Sequence, residues 1–195
     1  MHDLTPHHRW EAAYIADEDE RSPFYRQDKD RMRFTHAVYN HYIHPDWDAF
    51  GSSTLYMKLL YADYVEGYAI MEFIGEWNDT LHNDVMYLKR KVIDLMLPEG
   101  IHKFILICEN VLNFHGSDDC YYEEWQEEAA DEGGWICFVN TLPHVADEME
   151  DTRLQFFVHF GAPFNDIQWR LQKPRFVFQQ VEALVLRGSG QLRSG

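Results

Sequence analysis

The apolar positions between residues 52 and 186 fall into short continuous runs that alternate with helical stripes. The run Ile101-His102-Lys103-Phe104-Ile105-Leu106-Ile107-Cys108 is too short and too evenly apolar for an amphipathic helix. It predicts a strand buried on both faces, in the middle of a helix-covered sheet. Two earlier strands, 54–62 and 68–75, flank Asp63-Tyr64-Val65-Glu66-Gly67, where Gly67 offers a positive φ for the turn. A hairpin symmetric about Val65 sets Lys58 opposite Glu72 and Tyr56 opposite Ile74 on a half-wet face. Its other face packs Leu55, Met57, Leu59 and Tyr61 with Ala69, Met71 and Phe73. Asn78-Asp79-Thr80 then reads as a helix cap, with Leu81, Val85, Leu88, Val92 and Leu95 as one buried stripe. His82, Asp84, Lys89 and Lys91 lie off that stripe, and Pro98 and Gly100 end the helix.

Beyond the central strand, 109–116 reads as an exit loop and 118–131 as a second helix. Tyr122, Trp125 and Ala129 form its narrow buried stripe, while Glu123, Glu124, Glu127, Glu128 and Asp131 make an anionic outer surface. Gly133-Gly134 stops it. Residues 135–140 form another buried strand, Pro143 opens a third helix to about residue 151, and 154–160 reads as a strand. Pro174 starts a last helix with Val177, Val181, Leu184 and Val185 inward. Hairpin, helix, strand, helix, strand, helix, strand, helix is the order of an α/β fold. The expected sheet is mixed but mostly parallel, with an N-terminal β-hairpin and covering helices. That domain occupies 52–186. Ahead of it, 1–22 reads as a mobile N-terminal tail. The aromatic-rich but weakly periodic 23–51 reads as an extended arm, wrapped over the domain or over a second copy in a homodimer. Residues 187–195, rich in Gly and Ser, read as a flexible C-terminal tail.

Charge narrows the partners. With 33 acidic against 17 basic residues, the 195-residue chain carries a formal net charge of −16. Such a surface repels phosphate backbones and anionic lipid, so neither nucleic acid nor a membrane is expected as a partner. A protein with a basic surface fits. No apolar run approaches the roughly 20 residues of a bilayer span. Cys108, Cys120 and Cys137 are odd in number and two of them fall in predicted buried strands, which suits reduced thiols in a cytoplasm. There is no Gly-rich phosphate loop, no Gly-x-Ser-x-Gly elbow, no Cys-x-x-Cys and no His-Glu-x-x-His; His36, His41 and His44 follow no metal-site spacing. No cofactor or metal is therefore expected, and the reading is a non-enzymatic one.

Two groups of residues are candidates for function. The carboxyl ends of strands in an open parallel sheet collect ligands, and here they would gather Asn78, Asp79, Glu109, Asn110, Asn113, His115 and Asn140. A small-molecule binder or enzyme built on these loops is the alternative function. The second group is Ser117, Asp118 and Asp119 with the acidic helix after them, where Ser117 or Asp118 reads first as a helix cap. From 54 to 186 the pattern resembles the STAS fold, named for sulphate transporters and anti-sigma-factor antagonists. The likeness rests on the hairpin ending Phe73-Ile74-Gly75-Glu76, the helix after it, and Phe104–Val111 leading through Asn113-Phe114 to Ser117. In regulatory members of that family, a Ser or Thr at this helix start is phosphorylated to break a protein complex. The resemblance thus implies a cytoplasmic regulatory module with Ser117 as a phosphorylation position. The usual Asp-Ser-Ser-Gly is replaced here by Gly116-Ser117-Asp118-Asp119, whose carboxylates stand where a phosphate would put charge. The partner surface expected from this reading is Ser117, Asp118, Asp119, Glu123, Glu124 and Glu127.

Overall fold

The computed structural model describes residues 4–192 except 28, 30, 31, 40 and 118. A two-stranded ribbon, β1 (Ala37–Val38) and β2 (His41–Tyr42), precedes a four-stranded sheet of β3 (Leu55–Asp63), β4 (Tyr68–Asn78), β5 (Lys103–His115) and β6 (Trp135–Val139). The sheet order is β3-β4-β5-β6, with β3 antiparallel to β4 and the other two pairings parallel. Residues 103–108 lie mid-sheet, as their unbroken apolarity requires. On one face sit α1 (Asp84–Leu88), a π-helical turn (Lys89–Ile93), α2 (Asp94–Met96), α3 (Cys120–Asp131) and α4 (Pro143–Asp151). On the other lies α5 (Pro174–Leu192), together with short turns around Phe164 and Trp169.

The hairpin pairs as expected, Lys58 with Glu72 and Tyr56 with Ile74. A bulge between Leu59 and Tyr61 then shifts the register by one. Tyr61 turns to the α5 face and Ala62 takes the core position meant for it. Lys58 and Glu72 do not pair with each other: the Lys58 Nζ is 4.0 Å from Asp48, and Glu72 takes Arg170 at 2.8 Å. Nor is their face wet, since Glu72 is fully buried. At Gly75, with φ +122°, a Cβ would stand 2.1 Å from the Thr54 carbonyl oxygen, so only glycine lets β3 and β4 close here.

Several expected boundaries move. The 109–116 segment is strand, not exit loop, because β4 also runs on to Asn78 and pairs with it. Val111 and Phe114, three apart, both drop into the core across a register shift, while Leu112 is exposed and Asn113 half-buried. The first helix starts later than expected, after Asn83 in the left-handed conformation, which makes no side-chain capping bond; Asp79 supplies the oxygen that accepts from the Val85 amide, and Leu81 is exposed. The π turn holds one residue more than an α turn, which rotates the next helical turn by about 100°. Ile93 and Met96 go inward and Leu95 out, while Lys89 and Asp84, expected at the surface, are buried. The 154–160 segment is a 3-10 turn, Leu154–Phe156, and a single bridge from His159 to Cys137. Its buried Leu154 and Val158 are four apart, a spacing a turn meets as well as a strand. The last helix continues to Leu192, past the expected end at 186.

Residues 4–22 do not hang free. Trp10 is buried against the α5 face and its Nε1 donates to the Gln172 carbonyl at 2.9 Å. The hydroxyls of Tyr14 and Tyr64 both donate to Asp19, at 3.0 and 2.5 Å, and the Arg21 guanidinium lies 3.6 Å over the Tyr64 ring. The aromatic arm wraps its own chain: Val38, Ile43 and Trp47 cover Tyr56 and Ile74. Replacing Trp10 with Ala should therefore lower the unfolding free energy by about 3–5 kcal/mol in urea denaturation. A change below about 1 kcal/mol would show that this segment is not part of the folded unit.

Candidate functional site

The acidic helix α3 buries Tyr122, Trp125 and Ala129 as its stripe predicts, with Trp125 edge-on to Phe104 at 5.2 Å. Glu123, Glu127 and Asp131 face solvent. Its neighbour on the same sheet face, α4, buries Val145, Ala146 and Met149 and exposes Asp147, Glu150 and Asp151. Neither helix contains a lysine or arginine. Carboxylates at Glu127, Asp131, Glu150 and Asp151 stand toward helix C-termini, where the macrodipole makes each cost a few tenths of a kcal/mol. Among the described residues, no ion pair engages Glu123, Glu127 or Asp131.

Ser117 is exposed and lies two residues ahead of the α3 N-cap, Asp119, which makes no side-chain capping hydrogen bond. The hydroxyl therefore does not cap the helix. Asp118 lies outside the described residues. Glu124, expected in the free acidic surface, is instead gripped by the Arg90 guanidinium through two bonds of 2.7 and 2.8 Å, with the Lys89 ammonium at 3.4 Å. Those bonds from Arg90 hold the Glu124 carboxyl below its ordinary range. Lys89 is fully buried, bonded to Asp94 and, at 2.7 Å, to Glu128. Burial opposes its charge, but the hydrogen bonds of Asp94 and Glu128 outweigh that and raise its pKa. Asp94, Glu124 and Glu128 approach one another as closely as cation ligands do. The ammonium of Lys89 fills the space.

The residues expected to form ligand loops do not converge. Asn78 and Asp79 lie buried beneath α1. Asp79 accepts from the Val85 amide at 2.8 Å, the Tyr122 hydroxyl at 2.7 Å and the Trp77 Nε1 at 3.1 Å. Burial pushes its carboxyl up to about 6. The Asn78 amide donates to Asp84 at 2.8 Å, and its side-chain oxygen accepts from Leu81. Asn113 bonds Tyr39, His115 bonds Glu76, and Asn110 sits part-buried on β5 opposite Ile74. Asn140, with φ 55°, clamps Ile167 through both its oxygen and its nitrogen.

Glu109 belongs to a cluster that the sequence pattern did not single out. It accepts from the Trp169 Nε1 at 3.1 Å and from Arg170, whose guanidinium also reaches buried Glu72 and stacks 4.2 Å from the Trp169 ring. The His7 amide donates to Glu72 at 2.9 Å, and its ring stands edge-on to Trp10 and Trp169. Burial, with Arg170 beside it, lowers the His7 pKa to about 4. The partners lie 65 and 98 residues from Glu72 along the chain, so no local spacing announces them.

No family model matches this chain, and no curated protein does. Among solved structures it is similar to a Thermotoga maritima protein provisionally described as an anti-sigma factor antagonist. That match has 15% identity and a TM-score of 0.39, covering 54% of this chain and 86% of the other. Among the described residues, no helix is long and apolar enough to cross a membrane.

Asp79 and His7 pull stability in opposite directions with pH. Asp79 is raised when folded, so between about 4 and 6 the folded state holds the extra proton and stability falls as pH rises. His7 is lowered when folded, so between about 4 and 6.5 the unfolded state holds the extra proton and stability rises with pH. Asp79→Asn should remove the first slope, making the variant gain up to about 3 kcal/mol on wild type from pH 4 to pH 7. His7→Gln should show the reverse difference. Denaturant melts at each pH read both; parallel curves for variant and wild type would contradict the assignment.

Proposed function

We propose that this chain is a non-enzymatic regulatory module that binds a protein partner with a basic surface, through the outward side of α3 and the loop before it. One observation carries the reading. Glu123, Glu127 and Asp131 on α3, with Asp147, Glu150 and Asp151 on α4, form an anionic surface without an internal counter-charge, partly at helix ends where the charge is unfavourable. A basic partner relieves that repulsion on binding, and its approach is steered by a field that a chain of −16 already projects. Ser117 and Asp119 edge this surface, and exposed Ser117 is the position at which the STAS resemblance implies a phosphorylation that breaks the partner complex. Glu124 belongs to the module's own framework. No disulfide joins Cys108, Cys120 and Cys137, which supports a cytoplasmic placement.

The test is charge reversal at residues that hold nothing else. Glu123→Lys/Glu127→Lys should keep the fold, lose the partners that the wild-type chain captures, and flatten the salt dependence of capture. An identical partner set for variant and wild type would remove the acidic face from consideration. Glu124→Lys is the wrong probe, because it also breaks the Arg90 bridge.

A further inference from the structure

Beside the acidic face the surface opens into a groove of about 520 Å³ between the C-terminal half of α3, residues 155–159 and α5. Its lining includes exposed Phe156 and Leu186, buried Val158, Trp135 and Ile136, and Gln126 and Ala130 of α3. Phe156 is 72% exposed and Leu186 64%, although both are large and apolar and neither has a charged group to perform. Gln126 and Ala130 are four apart on α3, and Glu123 and Glu127 run beside them at the same spacing. The trough and the free carboxylates are therefore contiguous across α3, and none of the trough's lining residues is acidic, lysine or arginine.

We infer that the groove receives an amphipathic helix of the partner, its apolar stripe seated on Phe156, Val158 and Leu186 and its lysines or arginines set on Glu123 and Glu127. The inference rests on the acidic-face reading and adds the shape of the partner to it. Charge complementarity selects the occupant. A second copy of this chain brings another −16 to a rim that is already anionic, whereas a cationic helix neutralises that rim while its apolar side leaves water. One-sided charge also sets the orientation, with the cationic flank on α3 and the apolar stripe toward α5.

Two fluorescent synthetic peptides separate the groove from the charge: leucine and lysine in amphipathic helical order, and the same residues scrambled. Fluorescence anisotropy should show wild type preferring the ordered peptide by about tenfold or more, a difference near 1.4 kcal/mol. Phe156→Glu/Leu186→Glu should bring the ordered peptide down to the scrambled one, and Phe156→Ser/Leu186→Ser should do the same without added charge. Glu123→Lys/Glu127→Lys should abolish binding of both peptides. Circular dichroism confirms that each variant folds, and these substitutions fall at exposed positions. If the groove variants bind the ordered peptide as wild type does while the lysine variant loses it, the groove is wrong and the acidic face stands. Should the lysine variant also bind as wild type, both fail. A wild-type dimer in light scattering that Phe156→Glu/Leu186→Glu dissociates would make the occupant a second copy and overturn the inference.

Discussion

Two strands with no wet face set the terms for the whole molecule. Nearly every residue of β4 is buried, and β5 is buried on both faces through Cys108. Parallel pairing of such strands is stable only when both faces are covered. One face is covered by α1 to α4. On the other, α5 brings Val177, Phe178, Val181 and Val185 over Tyr68, Ile105 and Trp135, with Phe178 stacked 4.0 Å from Tyr68. That leaves the β3 side uncovered by helix, and residues ahead of the domain fill it: Trp10 against Leu60 and Ile70, and Trp47 against Tyr56 and Ile74. The described residues before 52 thus contribute a layer of the fold.

The same enclosure explains the buried charges. Glu72 lies in the middle of β4 on the face that Trp10 covers, and a carboxylate there is tolerable only with partners. It recruits two segments at once, the His7 amide from the N-terminal layer and the Arg170 guanidinium from the turn before α5. A buried pair of this kind adds little net stability, since desolvation offsets the attraction. Losing one member would strand the other. Its effect is positional: it sets where two otherwise irregular segments cross the sheet.

What could be read in the residues and what could not divide along locality. The central strand, the Lys58–Glu72 register and the α3 stripe of Tyr122, Trp125 and Ala129 are short-range patterns, and they hold. The strand extension to His115 was hidden because Asn110 and Asn113 look like turn residues, yet they lie half-buried on a strand whose register shifts bring both Val111 and Phe114 into the core. Trp10 was hidden because one ring among charges has no period. Of the candidate site, the outward Glu123 and Glu127 were legible as a helical face. The groove was not, because Phe156 and Leu186 meet only through the tertiary fold.

One buried lysine and the arginine after it shape the acidic helix most. Lys89 stands four residues after buried Val85, on the inward side of its helix, and its ammonium meets Asp94, Glu124 and Glu128 there. Between the Lys89 ammonium and the Arg90 guanidinium, α3 acquires two rows at four-residue spacing with different fates. Glu124 and Glu128 are consumed by the neighbouring helix, which fixes α3 in place. Glu123 and Glu127, one residue earlier on the helical wheel, keep their charge. A helix with every carboxylate engaged would offer a partner nothing, and one with none engaged would leave the buried Lys89 ammonium to Asp94 alone. The division makes α3 both a fixed element of the core and an unneutralised surface.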